Sequence, residues 1–330
     1  MTEQPETAAV PEQTDRPLLE VRDLSVTFLT PTGPVRAVRN ASFEVHRGEV
    51  VGLVGESGCG KSTSVFAVMN YLPGEHEVGG SIFFDGQDMS EIGETELRHM
   101  RGNRIAMVYQ DPAVALNPTM KVGLQIEEVL AEHLGFTSQQ SRQRVTELLD
   151  SVGLPDPARI SQSYPHQLSG GQQQRIVIAM ALACEPDLLL MDEPTTGLDV
   201  TTEATILDLI SDLKDRVNAG ILYVTHNLGV IARVADRVVV MYAGQTVEEA
   251  PVKELFKNPR HPYTQGMLSC VPTPATGTEA VTRLQSIPGT VYAGQLPGIS
   301  ACLFADRCPV VQDRCHSEAP DMIQATDVHQ

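Results

Sequence analysis

Four short stretches of this sequence carry residue types suited to chemistry on phosphate. The first is GESGCGKST at 55–63, in which Gly55, Ser57, Gly58, Cys59 and Gly60 lead to Lys61, Ser62 and Thr63. Glycines let a backbone wrap close to anionic oxygens, and successive N–H groups then form a concave anion site. A helix beginning at the lysine adds partial positive charge at its N-terminus. In this spacing Lys61 reaches terminal phosphate oxygens and the Ser62 hydroxyl is offered to Mg²⁺, while Cys59 contributes its backbone N–H rather than its sulfur. The second stretch, LLLMDEP, ends an apolar run on Asp192, placed to orient a metal's water shell, and on Glu193, aimed elsewhere and able to polarise an attacking water. The third, LSGGQQQR, is another glycine-rich helix start, with Ser169 in the capping position before Gly170, Gly171 and Gln172. Gln173 and Gln174 read as a polar helix face and Arg175 as a brace for the loop. The fourth, VTHN, sets His226 at a strand end.

These residues need a scaffold that brings strand ends and helix starts to one edge. Alternation in LLEVRDLSVTFLT and VRAVRNASFEV, broken by PTGP, predicts a pair of antiparallel strands. EVVGLVG, DLLLMDEP and GILYVTH are short apolar runs that predict fully buried strands. KSTSVFAVMNYL and ATILDLISDLKDRV have helical spacing, and RVVVMYAGQTVEEA predicts a hairpin. Buried strands alternating with helices indicate an α/β fold around a mostly parallel sheet. Residues 96–182 are mainly helical in pattern and form a helical subdomain. After HPYTQGML, Pro, Gly and Thr rise, periodicity fades and cysteines cluster. The expected organisation is an acidic disordered tail over 1–17, a main domain over 18–250, and a small irregular cysteine-containing domain over 251–330.

Composition bounds the partners. With 330 residues, 42% hydrophobic and 20% charged, the chain suits one large or two modest domains. Aromatics make up 5% and Trp is absent, so the core must rest on aliphatic residues and Met. A net charge of −18 argues against nucleic acid as the main partner and against direct docking on anionic lipid. No apolar run approaches the roughly 18–20 residues that span a bilayer. The N-terminal stretch lacks the basic and apolar parts of a secretory signal, so the chain is expected to remain in the cytoplasm.

The order phosphate loop, VYQDP, LSGGQ, LLLMDEP, GLD, VTHN over about 18–250 resembles the ATP-binding subunits of ABC transporters, with their P-loop NTPase fold and antiparallel β subdomain. The resemblance implies two such subunits closing head to tail, each ATP lying between one chain's phosphate loop and the other's LSGGQ. That accounts for two glycine-rich helix starts in one chain: Ser169, Gly170, Gly171 and Gln172 serve the partner's nucleotide. It also implies that Phe28 stacks on adenine, that Gln110 and Asp192 join Ser62 around Mg²⁺, and that His226 touches the γ-phosphate and holds Glu193. Asp199 of GLD corresponds to the aspartate that communicates across the dimer, with Gly197 standing where Ala or Ser is usual.

QDPAVALNPTMKVGLQI and FKNPRHPYTQGML, followed by a cysteine tail, resemble the oligopeptide/dipeptide importer branch. This implies a second ATPase subunit (a paralogue by family habit), two transmembrane permeases and an extracytoplasmic peptide-binding protein. The chain would sit peripherally on the cytoplasmic face of the inner or plasma membrane. Nickel importers share much of the pattern, and a soluble non-transport ABC ATPase is a further alternative. Cys302, Cys308 and Cys315, with Cys270 upstream, match neither a zinc ribbon nor a ferredoxin run in spacing. Some members of this branch carry a 4Fe–4S cluster in the tail, and these four cysteines are its expected ligands. Zinc, with His316 as an alternative ligand, and unligated buried thiols stay open as readings.

Overall fold

The protein is described here from a computed structural model covering residues 16–216, 218–271, 286–290, 301–326 and 328–329. The acidic tail expected over 1–17 lies outside these residues as far as position 15. Strands β1 (Leu19–Thr30) and β2 (Gly33–Val45) pair antiparallel along their length. Alternation decides this: Leu19, Val21, Leu24 and Val26 face a common core while their neighbours meet solvent. β3 (Val50–Val54) follows and feeds the phosphate loop into α1 (Lys61–Val68). β4 (His76–Phe84) and β5 (Gln87–Asp88) then complete a four-stranded sheet in the order β2-β1-β4-β5. β4 is not signalled by sequence pattern, because Gly79 and Gly80 interrupt its alternation.

Helices dominate the next stretch: α2 (Glu94–Met100), α3 (Pro112–Ala115), α4 (Val122–Leu134), α5 (Ser138–Ser151), α6 (Pro157–Ser161) and α7 (Gly170–Ala181). Between α2 and α3, however, β6 (Ile105–Val108) is a strand of the main sheet. Four apolar residues are too few to display a period, so this edge strand was invisible within the helical pattern.

The remaining elements are β7 (Leu188–Asp192), α8 (Val200–Arg216), β8 (Gly220–Thr225), α9 (Leu228–Val234), β9 (Arg237–Tyr242) and β10 (Gln245–Pro251). They build a six-stranded sheet ordered β10-β9-β3-β8-β7-β6, parallel except for the β9–β10 hairpin. Every residue of β3, β7 and β8 is buried, as central parallel strands covered on both faces require. Their C-terminal ends open onto one edge, where the phosphate loop, Asp192 and His226 lie.

Two helices follow, α10 (Val252–Lys257) and α11 (Pro262–Ser269). Leu255, Tyr263, Leu303 and Phe304 belong to the same hydrophobic core as β7, β8 and α7. The described part of the C-terminal segment thus packs on the main sheet rather than around a core of its own. Tyr242 of β9 is the hub, with ring centroids 4.6 Å from Tyr263 and 5.1 Å from Phe304. Across the molecule, Asp187 joins the two sheets, accepting from Arg47 Nη1 and Arg104 Nε at 2.7 Å each, while Arg104 Nη2 reaches Asp85 at 2.7 Å. No helix among the described residues is long and apolar enough to cross a membrane.

Candidate functional site

The phosphate loop closes between β3 and α1 through two left-handed glycines, Gly58 (φ +79°) and Gly60 (φ +102°). They differ in what a side chain would meet. A Cβ at Gly60 would lie 2.5 Å from the Ala37 carbonyl oxygen, whereas one at Gly58 meets nothing within 4 Å. Gly60 is therefore required by close packing, and Gly58 faces the open side of the loop. Lys61 is buried, and its Nζ donates to the carbonyls of Gly55 (2.9 Å) and Glu56 (3.1 Å). An ammonium parked on backbone carbonyls is held in place for phosphate oxygens to replace them.

Ser62 Oγ donates to Asp192 Oδ1 at 3.1 Å, across 130 residues of sequence. Burial pushes the Asp192 carboxyl up from its ordinary value, and the Ser62 bond offsets this only in part. A buried carboxylate beside a hydroxyl, short of positive charge, is a donor set that suits a hard divalent cation such as Mg²⁺. Gln110, exposed just past β6, does not reach this pair; its Nε2 lies 3.5 Å from Glu193 Oε2.

Glu193 breaks out of the strand in a left-handed conformation (φ +47°), pinned by its N–H to Val224 O at 2.9 Å. The turn sends its carboxylate away from Asp192 and towards β8. There His226 Nδ1 lies 3.1 Å from Oε1 and Thr196 Oγ1 donates to Oε2 at 3.0 Å. Burial alone would raise this carboxyl, but the hydrogen bonds from His226 and Thr196 prevail and hold it below the usual carboxylate value. Glu193 is thus ionised at neutral pH, and because a carboxylate only accepts, Nδ1 of His226 carries the proton. Thr196 was not foreseen; it lies in the same PTTG turn that sequence reading passed over.

The second glycine-rich start behaves differently. Ser169 caps α7 reciprocally with Gln172: Ser169 N–H donates to Gln172 Oε1 at 3.0 Å and Gln172 N–H to Ser169 Oγ at 3.3 Å. Gly171 packs so tightly on α8 that a Cβ there would lie 2.3 Å from Thr202 Cγ2. The expected polar face is only partly present. Gln173 Nε2 braces the loop through Pro165 O (2.8 Å) and Leu168 O (3.1 Å), but Gln174 is buried and turned towards Tyr109 O at 3.4 Å, because α7 packs along β6 on that side. Arg175 braces the turn after α5, donating to Gly153 O at 2.9 Å, rather than its own loop. Asp199 caps α8, accepting from Thr201 N, Thr202 N and, at 2.7 Å, Thr202 Oγ1. Gly197 sits at φ +81°, a conformation that an alanine or serine there would occupy only with strain. Phe28 is half-buried on β1 beside the core of the antiparallel sheet.

The four-cysteine iron–sulfur set is not assembled. Cys302 and Cys315 are tied by Cys302 N–H to Cys315 O at 2.9 Å, with Cys308 closing a neighbouring turn. Cys270 Sγ, however, turns back on its own helix to Gly266 O at 3.2 Å. Among the described residues no three His, Cys, Asp or Glu side chains are arranged to ligate a metal.

Residues 38–196 match the ABC transporter family, and residues 247–315 match the oligopeptide/dipeptide transporter C-terminal region. Curated relatives include the oligopeptide transport ATP-binding protein of Bacillus subtilis, 45% identical over 315 residues, covering 94% of this chain and 87% of the relative. The dipeptide transport ATP-binding protein of Escherichia coli is 45% identical over 315 residues and 95% of each chain. A probable peptide ABC transporter ATP-binding protein of Sinorhizobium fredii is 44% identical over 314 residues, 94% of this chain and 93% of the relative. Among solved structures, a dimeric ATP-binding cassette in a post-hydrolysis state with ADP and phosphate bound aligns with a TM-score of 0.64 at 28% identity, over 71% of this chain and 98% of that one.

Proposed function

The chain belongs to the ATP-binding subunits of ABC transporters, and from that premise we propose that it hydrolyses ATP to power import of di- and oligopeptides through a membrane permease. The observation that carries the reading is the pairing of an intact hydrolytic constellation with a C-terminal segment of the oligopeptide/dipeptide transporter type. Gly55, Ser57, Gly58, Cys59, Gly60, Lys61, Ser62 and Thr63 receive the phosphates, and Phe28 the adenine. Ser62 and Asp192 would hold Mg²⁺, with Gln110 joining them once it turns from Glu193, and the ion would supply neutralisation of charge on the phosphate oxygens. Glu193 takes a proton from water as the water oxygen bonds to the γ-phosphorus; the bond to the bridging oxygen breaks and ADP leaves. His226 keeps Glu193 ionised and aimed.

The reading includes a head-to-tail dimer, and local geometry supports it. The hydrogen bonds of Ser169 and Gln172 close on each other, and Gly171 is committed to α8, which leaves the α7 N-terminus presented outward to a second nucleotide. A second ATPase subunit, two permeases and an extracytoplasmic peptide-binding protein complete the assembly, which holds this chain on the cytoplasmic face of the membrane. Residues 18–250 act as the nucleotide-binding domain, with the helical subdomain at about 96–182 less β6, and 251–330 as the C-terminal domain. A 4Fe–4S cluster on Cys270, Cys302, Cys308 and Cys315 has no assembled ligand set in its support and enters no step.

The test is reconstitution of the chain with its permeases and binding protein in lipid. Peptide-loaded binding protein should stimulate ATP hydrolysis, and Lys61→Ala should abolish both hydrolysis and peptide uptake. Hydrolysis indifferent to peptide, or uptake that survives Lys61→Ala, would overturn the reading.

A further inference from the structure

The phosphate loop carries a carboxylate. Glu56 lies directly after Gly55, on a loop whose task is to receive the multiply charged phosphates of ATP, in a chain already at −18. Left alone, that charge would oppose the ligand. The structure shows what deals with it, and it comes from the other end of the sequence. Arg307, in a single 3₁₀ turn (Ala305–Arg307), donates from Nη1 to Glu56 Oε2 at 2.8 Å and from Nη2 to Glu56 Oε1 at 2.9 Å. This two-pronged geometry is the strong form of the arginine–carboxylate pair. The two residues are 251 positions apart.

Arg307 is held as firmly as it holds. Its side chain is 8% exposed, its Nε donates to Pro288 O at 2.7 Å, and its guanidinium lies over the Tyr242 ring at 5.7 Å. A second contact reaches the same loop residue: the Glu56 N–H donates to the hydroxyl of Tyr263 at 2.9 Å. Tyr263 is fully buried and is the tyrosine of HPYT, the stretch that marks the C-terminal segment in sequence. Both side chain and backbone of Glu56 are thus engaged by residues beyond 251, while its carbonyl accepts from Lys61 Nζ.

We infer that Arg307 is a positioning residue of the nucleotide site: it neutralises and immobilises Glu56, with Tyr263 as its backbone anchor, so that the phosphate loop presents its N–H groups and Lys61 to ATP without a competing negative charge. The C-terminal segment therefore governs nucleotide affinity. Its described contacts place it on the loop that binds phosphate rather than on the residues that activate water, so it acts on binding and leaves the chemical step alone. The inference rests on residues 55–63 being the ATP phosphate loop.

The experiment uses the full-length chain in the reconstituted transporter, with kcat and KM for MgATP measured at low and at about 0.5 M salt. Arg307→Gln should raise KM by about tenfold at low salt with kcat within about twofold of the parent, and the gap should narrow at high salt. The double variant Arg307→Gln with Glu56→Gln should return KM to within about threefold of the parent, because no charge remains to be neutralised. An unchanged KM in Arg307→Gln, or a double variant as impaired as the single one, would overturn the inference. If Arg307→Gln loses cooperative melting, Glu56→Gln alone decides: KM at or below the parent supports the inference, and a raised KM refutes it. Lys61→Ala separates the two levels, since retention of full hydrolysis in that variant strikes the ATPase reading itself rather than the role of Arg307.

Discussion

Gly171→Ala offers the sharpest test of how the signature helix is placed. By helix propensity alone the change should stabilise α7 by up to about 1 kcal/mol. The structure reverses the sign. The new Cβ would stand 2.3 Å from Thr202 Cγ2, about 1 Å short of ordinary contact at 3.4 Å. Thr202 moves aside only by giving up the bond from its Oγ1 to Asp199 Oδ2 at 2.7 Å. The start of α7 must therefore back away from α8. Over-packing of this kind costs about 1–3 kcal/mol, which matches or exceeds the propensity gain. If these residues serve the partner's nucleotide as proposed, a displacement of about 1 Å lowers turnover by about a hundredfold.

Steady-state hydrolysis by the reconstituted transporter should thus fall by about 30–100-fold, while nucleotide binding at the same chain's phosphate loop stays within about twofold. The second variant decides the cause. Thr202→Ser removes Cγ2 and keeps Oγ1, which would lie 3.4 Å from the new Cβ and can still bond Asp199. Gly171→Ala with Thr202→Ser should recover most of the activity. Parental turnover in Gly171→Ala, or no recovery in the double variant, would refute the claim that this contact sets the position of the signature residues.

Two further outcomes follow from the site and the frame. Glu193→Gln removes the proposed proton acceptor yet keeps a side chain of the same shape for His226 and Thr196, so single-turnover hydrolysis should slow by about 10²–10⁴-fold while ATP affinity is retained; hydrolysis within tenfold of the parent would exclude Glu193 as the base. Asp187 is pushed up by burial but drawn further down by Arg47 and Arg104, so its folded value lies below 3.8. Its contribution to stability is then present above the unfolded value and is lost as pH falls through the folded one. Asp187→Asn should cost about 1–2 kcal/mol at pH 7, with the deficit shrinking below about pH 4; a deficit that is constant with pH in acid-titrated thermal melts would contradict this.

Legibility from sequence followed the range of the interaction. β1, β2, β3, β7, β8 and the β9–β10 hairpin were readable because alternation or continuous burial is written in consecutive residues. β4 and β6 were not: one is interrupted by a glycine pair, and the other is only four residues long and gains its identity from pairing with β7. Gln174 looked like surface because it is polar and follows two other glutamines, yet packing of α7 on β6 buries it and a backbone carbonyl supplies its partner. The cysteines cluster in sequence, whereas in the fold the Cys270 thiol donates to Gly266 O of its own helix.

What the sequence determined by itself is the chemistry of each local unit. The phosphate loop, the capped signature helix and the strand-end carboxylates depend on spacing within about ten residues, where chain connectivity already holds the groups together. Only tertiary structure decided which units meet. Ser62 finds Asp192 because β3 and β7 both flank β8 in one parallel sheet, so their C-terminal ends emerge on the same edge. Glu56 finds Arg307 because Tyr242, Tyr263 and Phe304 bury their rings together and carry the tail back over the loop. Burial of apolar rings has no sequence range, so the pairing of a phosphate-loop carboxylate with a distant arginine could be settled only by the fold.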